Sequence, residues 1–248
     1  MNAIKYFGTT DPGLLRNKNE DTFFVETIWD ESCLLAIVID GVGGYEGGEV
    51  AAAIARDSIV EYVCGGHRNS CLDLLGRAVL HANNRIFLER QQNPGYSSMS
   101  CVLTAVIVDR SGGVLHMAHV GDTRLYKFFS DGLEKLSSDH SLVGYREEIG
   151  DLSEEEAMAH PMRNVISRDV GSLLLETGED YMELKSFPLQ DGSLLLLCSD
   201  GLCDMVMSGR ISEILSMRGS VKDKVDALIE EAKKMGGKDN ITVVLVEL

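Results

Sequence analysis

The sequence is sparing with the residues that staple, bend or anchor a chain. Its six cysteines, Cys33, Cys64, Cys71, Cys101, Cys198 and Cys203, include no Cys-x-x-Cys pair, which excludes the common zinc spacings. Four of them lie in or beside apolar runs, where cysteine acts as a small hydrophobe. No disulfide framework is expected, and the expected compartment is reducing and cytoplasmic. Proline occurs only at Pro12, Pro94, Pro161 and Pro188, so no proline-rich linker divides the chain. Apolar runs such as Ser193 to Cys198 fall far short of the roughly 18 residues of a membrane span. Met1 to Thr10 lacks the basic and apolar segments of a signal peptide. The chain stops after Ile241 to Leu248 without a tail, which argues against a membrane tether in cis. Basic residues are the minority, 23 against 39 acidic, giving a formal charge of −16 with no basic run. A nucleic-acid or anionic-membrane footprint is thereby excluded. Most of the excess acid reads as solubilising surface.

What is present suits a soluble globular protein. The 248 residues are 44% hydrophobic and 25% charged, enough to bury a core without covalent staples. No repeat or low-complexity stretch appears, and one continuous domain over 1–248 is expected. Asp21 to Thr27 and Cys33 to Asp40 read as strands. Val102 to Asp109, Gly113 to Val120 and Arg124 to Phe129 follow across short turns, as in an antiparallel meander. Met182 to Phe187 and Ser193 to Ser199 read as a hairpin joined at Gln190-Asp191-Gly192, and Ile241 to Val246 closes the chain. Helices are expected over Glu46 to Cys64, stopped by Gly65-Gly66, and over Ser70 to Arg90, with Ser70 as cap and Asp73 as the capping acid. Two more are expected over Ser208 to Met217 and Val221 to Met235. Hairpins with helices inserted in groups predict a layered α+β fold rather than a doubly wound sheet.

Five segments carry chemistry. Val38-Ile39-Asp40-Gly41-Val42-Gly43-Gly44 and Leu194 to Leu202, around Ser199-Asp200-Gly201, each end an apolar strand in Asp-Gly and lead toward a helix. Glycine there lets the backbone approach an ion closely, although Asp-Gly is also an ordinary turn dipeptide. Asp131-Gly132 and Asp191-Gly192 are adequately read as hairpin turns. Gly236-Gly237-Lys238-Asp239-Asn240 precedes the last strand, His119-Val120-Gly121-Asp122 sits at a strand corner, and Arg16-Asn17-Lys18-Asn19-Glu20-Asp21 is a polar loop. Oxygen-only ligands from several aspartates suit hard cations such as Mg²⁺ or Mn²⁺. Two such ions about 3.5–4 Å apart can share and acidify a water. Spacing alone does not bring Asp40, Asp200 and Asp239 together.

Taken in this order, the five segments resemble the type-2C metal-dependent protein serine/threonine phosphatases (the PPM family) in their compact bacterial form. Asp139-His140-Ser141-Leu142-Val143 and His160-Pro161-Met162-Arg163-Asn164-Val165-Ile166 add to the resemblance, which spans essentially the whole chain. It implies a central sandwich of two antiparallel β-sheets flanked by α-helices, in four α-β-β-α layers. It implies that Asp40 bridges two metals, that Asp200 and Asp239 complete the first metal's shell, and that the Gly41 carbonyl binds the second metal, with Glu20 reaching it through water. Asp122, with Asp200, would offer a third metal position. Arg16 would hold the substrate phosphate, Asp21 would orient ligands and Asn240 would support Asp239. The implied reaction is hydrolysis of phosphoserine and phosphothreonine in proteins by direct attack of a metal-bridging hydroxide, opposing a bacterial serine/threonine kinase, in a monomer. Residues 141–171 correspond to the family's mobile flap. Its charges, Arg146, Glu147, Glu148 and Glu154 to Glu156, read either as solvated surface or as substrate-selecting groups.

Two departures stand out. Val42 occupies the place where eukaryotic members carry a histidine proposed to protonate the leaving group, so a water or a metal-bound group is inferred as the acid. The family's Met-Gly-Thr-Thr stretch is Met99-Ser100-Cys101-Val102 here. His119, His140, Cys198 and Cys203 read as structural. Two other functions compete: a catalytically silent phosphoprotein-binding regulator of the same fold, and a metal-dependent hydrolase of another phosphoester. The intact set Asp40, Asp200, Asp239 and Glu20 argues against the first.

Overall fold

The computed structural model describes residues 3–43, 47–130, 132–178 and 180–248. Two antiparallel five-stranded sheets form its centre. The first runs in the order β1 (Lys5–Asp11), β10 (Ile241–Glu247), β9 (Leu194–Cys198), β6 (Arg124–Phe129) and β7 (Gly132–Lys135). The second runs β2 (Thr22–Thr27), β3 (Cys33–Val42), β4 (Ser100–Asp109), β5 (Val114–Val120) and β8 (Glu183–Pro188). Helices α1 (Gly48–Cys64) and α2 (Cys71–Gln92) cover the outer face of the second sheet. Helices α6 (Ser208–Ser216) and α7 (Val221–Lys234) cover the first. The expected α-β-β-α layering is thus observed. Among the described residues no helix is long and apolar enough to cross a membrane.

The central strands are apolar without interruption because both of their faces are buried. Alternate residues go to opposite sides. On β3, Cys33, Leu35, Ile37 and Ile39 pack under the helices, while Leu34, Ala36 and Val38 fill the space between the sheets. On β10, Ile241, Val243 and Leu245 face the helices, and Val244 and Val246 face inward. The same period sends Asp40 on β3 and Thr242 on β10 toward the interior at one end of the sandwich. There the apolar filling gives way to polar groups. His119 bonds Thr104 Oγ1 through Nδ1 at 2.9 Å, and its Nε2 lies 3.0 Å from the Gly121 carbonyl. This satisfied, buried ring is structural.

Several expectations are corrected. The strands around Gln190-Asp191-Gly192 are not a hairpin: β8 pairs with β5 and β9 with β10 and β6, in opposite sheets. The turn itself exists, with Ser193 N–H donating to Gln190 O at 3.1 Å and Gly192 at φ +80°, but it carries the chain across the sandwich. The meander is likewise cut at Gly121-Asp122, where β6 leaves β5 for the other sheet. Ser70 makes no side-chain cap on α2, whereas the unanticipated box Ser220–Asp223 caps α7. Strand β3 runs two residues past Asp40, and β1 was not anticipated. The Phe129–Gly132 hairpin forms. Gly44, Glu46 and Asp131 lie outside the described residues.

Candidate metal centre

Five carboxylate-bearing segments meet at the polar end of the sandwich. Register places Thr22 opposite Ile39, so Asp21, one residue before β2, comes beside Asp40. Thr242 donates to Asp21 Oδ2 at 2.6 Å and shares a 2.7 Å hydrogen bond with Thr10. Strand β9 ends at Cys198, and Ser199 bonds to the Thr242 N–H through its hydroxyl at 3.0 Å. Asp200 then opens the short helix α5 (Asp200–Cys203). Asp122 sits at the crossover from β5 to β6 and Asp239 just before β10. Glycine is required at two of these junctions. A Cβ on Gly41 would lie 2.3 Å from Gly48 O and 2.6 Å from Glu20 O, and one on Gly201 would lie 1.9 Å from Asn240 O.

The carboxylates crowd one another. Asp40, Asp122 and Asp200 are surrounded by protein yet keep part of their surface open, as groups on the floor of a cleft do. Burial, reinforced by Asp21, Asp200 and Asp122, raises Asp40 well above the usual carboxylate range. Burial does the same to Asp200, with Asp122 and Asp204 adding to it. Asp21 is pushed up to about 6, first by burial, and Asp122 to about 7, by burial and then Asp139. Glu20 is raised by burial against the pull of Arg16 and Lys18. Clustering like charges in a low-dielectric cleft is unfavourable unless a cation compensates. Asp200 Oδ1 is buried and accepts no hydrogen bond among the described residues. An orphaned acceptor of that kind is unusual, and it fits a hard cation.

Arg16 and Asn240 frame the cluster. Arg16 Nη2 donates to Asp239 Oδ2 at 2.7 Å while the guanidinium stays half exposed. That hydrogen bond holds Arg16 firmly protonated. Asp239 Oδ1 accepts the Asn240 backbone N–H at 2.8 Å. The Asn240 side chain serves a different segment: its Oδ1 accepts Glu20 N–H at 2.8 Å, and its amide donates to Lys18 O and Pro12 O at 2.9 and 3.1 Å. Among the described residues no three His, Cys, Asp or Glu side chains form a ready-made metal cage. Asp239 is turned onto Arg16 instead.

Sequence reasoning overlooked two neighbours of the cluster. Asp204 lies four residues after Asp200, on the same helical face, and pairs with Arg163 at 2.9 Å. Thr242 is the inward residue of β10 before Val244 and Val246, so strict alternation was the signal for it. Val42, more than a third exposed, offers no proton.

Fold and cluster together define a class, the divalent-metal-dependent protein phosphatases built as an α-β-β-α sandwich. The family model described as protein phosphatase 2C matches residues 16–242. The serine/threonine phosphatase stp of Listeria innocua is 35% identical over 244 residues, covering 96% of this chain and 93% of that protein. The crystal structure of the Mycobacterium tuberculosis serine/threonine phosphatase PstP/Ppp superposes with a TM-score of 0.87 at 30% identity, over 100% of this chain and 99% of that one. The PstP catalytic domain in complex with two manganese ions gives a TM-score of 0.85 at 29% identity, over 99% and 98% of the two chains. The chain belongs to the protein phosphatase 2C family.

Proposed function

We propose that this chain removes phosphate from phosphoserine and phosphothreonine in proteins, using divalent cations held by the carboxylate cluster. One observation carries the reading: Asp40, Asp122 and Asp200 crowd together in a cleft, raised by burial and by neighbouring aspartates, with one buried Asp200 oxygen accepting no hydrogen bond among the described residues. Asp40, Asp200 and Asp239 would hold one ion, and Asp40, the Gly41 carbonyl and, through a water, Glu20 would hold the other. Asp122 with Asp200 would hold a third. Bound Mg²⁺ or Mn²⁺ would supply an acidified water and positive charge facing the phosphoryl oxygens.

The chain's own groups prepare the rest. Arg16 offers its remaining N–H donors to the phosphate, a planar fork matched to that geometry. The Thr242 hydroxyl fixes the rotamer of Asp21 beside Asp40. Asn240 fixes the main chain at Glu20. Water attacks phosphorus, the bond to the seryl or threonyl oxygen breaks, and the leaving oxygen takes up a proton from water, since Val42 has none to give. The substrates are phosphoproteins, and a cognate serine/threonine kinase or its targets are the partners we assign. Residues 1–248 would act as one catalytic domain, a cytoplasmic monomer, with 141–171 as a flap over the site.

The test is hydrolysis of a phosphothreonine peptide with manganese, with and without chelator, in wild type, Asp40→Asn and Asp239→Asn. Turnover that needs manganese and disappears in both variants supports the assignment. Absence of turnover in folded, manganese-loaded wild type would leave a phosphoprotein-binding regulator.

A further inference from the structure

Beside the carboxylate cluster lies a second feature that the chemistry does not use. A groove of about 440 Å³ runs between α4 (Glu154–Met158), the connection from α5 to α6, and the C-terminal end of α7. Its walls are mainly apolar and hold four of the chain's ten methionines: Met158, Met205, Met207 and Met235. Met207 and Met235 are 45% and 60% exposed, so this apolar surface faces solvent. Methionine is flexible and polarisable, and it lines surfaces that accept varied apolar side chains.

The groove shares a wall with the small cavity beside the carboxylate cluster. Met158 forms part of its wall and also lines the small cavity containing Asp122, Asp200, Asp204 and Arg163. Met205 directly follows Asp204, and Lys238, at the groove's edge, directly precedes Asp239. A chain that presents a phosphoresidue to the aspartates therefore has this groove as its apolar neighbour. An extended segment advances about 3.3 Å per residue, so residues close to the phosphoresidue reach it.

We propose that this groove docks the phosphoprotein substrate on one side of its phosphoresidue and takes a large apolar side chain, leucine or methionine in kind. The proposal rests on the phosphatase reading and adds to it a substrate preference. Docking here acts equally before and during reaction, so it lowers KM rather than raising kcat.

The experiment uses phosphothreonine peptides of otherwise polar sequence in which a single leucine is moved, position by position, along both flanks. They are assayed with manganese against wild type and the double variant Met207→Ser/Met235→Ser, whose side chains are exposed. p-Nitrophenyl phosphate, too small to fill the groove, is the control. Leucine within one window on one flank should raise kcat/KM about tenfold in wild type, through KM. The double variant should lose that gain and keep its p-nitrophenyl phosphate turnover. A leucine without effect in wild type, or a gain that survives in the double variant, overturns the proposal and leaves the phosphatase reading standing. So does sedimentation showing a wild-type dimer that the double variant dissociates, which would give the groove to a second copy. If wild type turns over neither substrate, the phosphatase reading fails and the proposal with it.

Discussion

Asn240 and Glu20, 220 residues apart in sequence, are joined by a 2.8 Å hydrogen bond from the Glu20 N–H to the Asn240 side-chain oxygen. The same side chain donates to the Lys18 and Pro12 carbonyls. One amide thus ties the polar N-terminal loop to the start of β10. Asn240→Ala removes all three bonds and leaves three part-buried backbone groups without their partner. It should destabilise the fold by about 1–3 kcal/mol, measured by urea unfolding. It should also weaken manganese-dependent turnover, because Glu20 loses its anchor.

Arg124 makes a buried ion pair with Asp139 Oδ2 at 2.7 Å and with Glu147 Oε2 at 2.9 Å. Glu147 lies on α3 (Leu142–Glu148), within the segment assigned as a flap. Removing one partner of a buried pair leaves an uncompensated charge. Arg124→Met should therefore cost about 3–5 kcal/mol in chemical unfolding. Glu147→Gln keeps the Arg124–Asp139 pair and should cost less. Its mark should be faster amide exchange over 142–148 with little change elsewhere.

The hairpin error and the missed first strand have one cause. Gln190-Asp191-Gly192 has the local chemistry of a reverse turn and does turn, yet the strands on either side pair in different sheets. Partner choice is fixed by long-range packing, which no local signal contains. β1, with the sequence KYFGTTD, lacks an apolar alternation, and its pairing with β10 is supplied by a strand 230 residues later. Asp40 and Asp200 were legible because each ends an apolar run in Asp-Gly. Asp239 and Asp122 were legible only as members of an ordered set of motifs. That the Asn240 side chain holds Glu20, while only its backbone N–H reaches the carboxylate of Asp239, depended on side-chain geometry, which sequence does not carry.

His140 Nδ1 accepts the Gly121 N–H at 3.1 Å, one residue before Asp122. That bond requires an unprotonated nitrogen. Burial, then the neighbouring His119 and Arg168, lower the His140 pKa to about 4 from an ordinary value of 6.5. Between those values the unfolded chain binds the proton and the folded one does not, so stability rises with pH. It should be fully present above about pH 6.5 and decline as the pH falls toward 4. Urea midpoints across this range should show the slope, and His140→Gln should flatten it.

Asp200 behaves in the opposite sense. Burial, then Asp122 and Asp204, raise its pKa well above the carboxylate norm, so its ionised form weakens the metal-free fold. That penalty is absent below the unfolded value near 3.8 and grows as the pH rises through the folded one. Asp200→Asn should raise the metal-free melting temperature at neutral pH, by about 2–4 °C for each kcal/mol relieved in a chain this size. Manganese should raise the melting temperature of wild type and raise that of Asp200→Asn by less, since one metal position does not use Asp200.

The central claim is that carboxylates from five distant segments gather divalent cations around Asp40. Calorimetric titration of metal-free protein with Mn²⁺ tests it most directly, with Asp40→Asn alongside. The account predicts at least two bound ions per wild-type chain and loss of both high-affinity sites in the variant, since their shared ligand is gone. Wild type that binds no manganese, or a variant that binds it as wild type does, would contradict it.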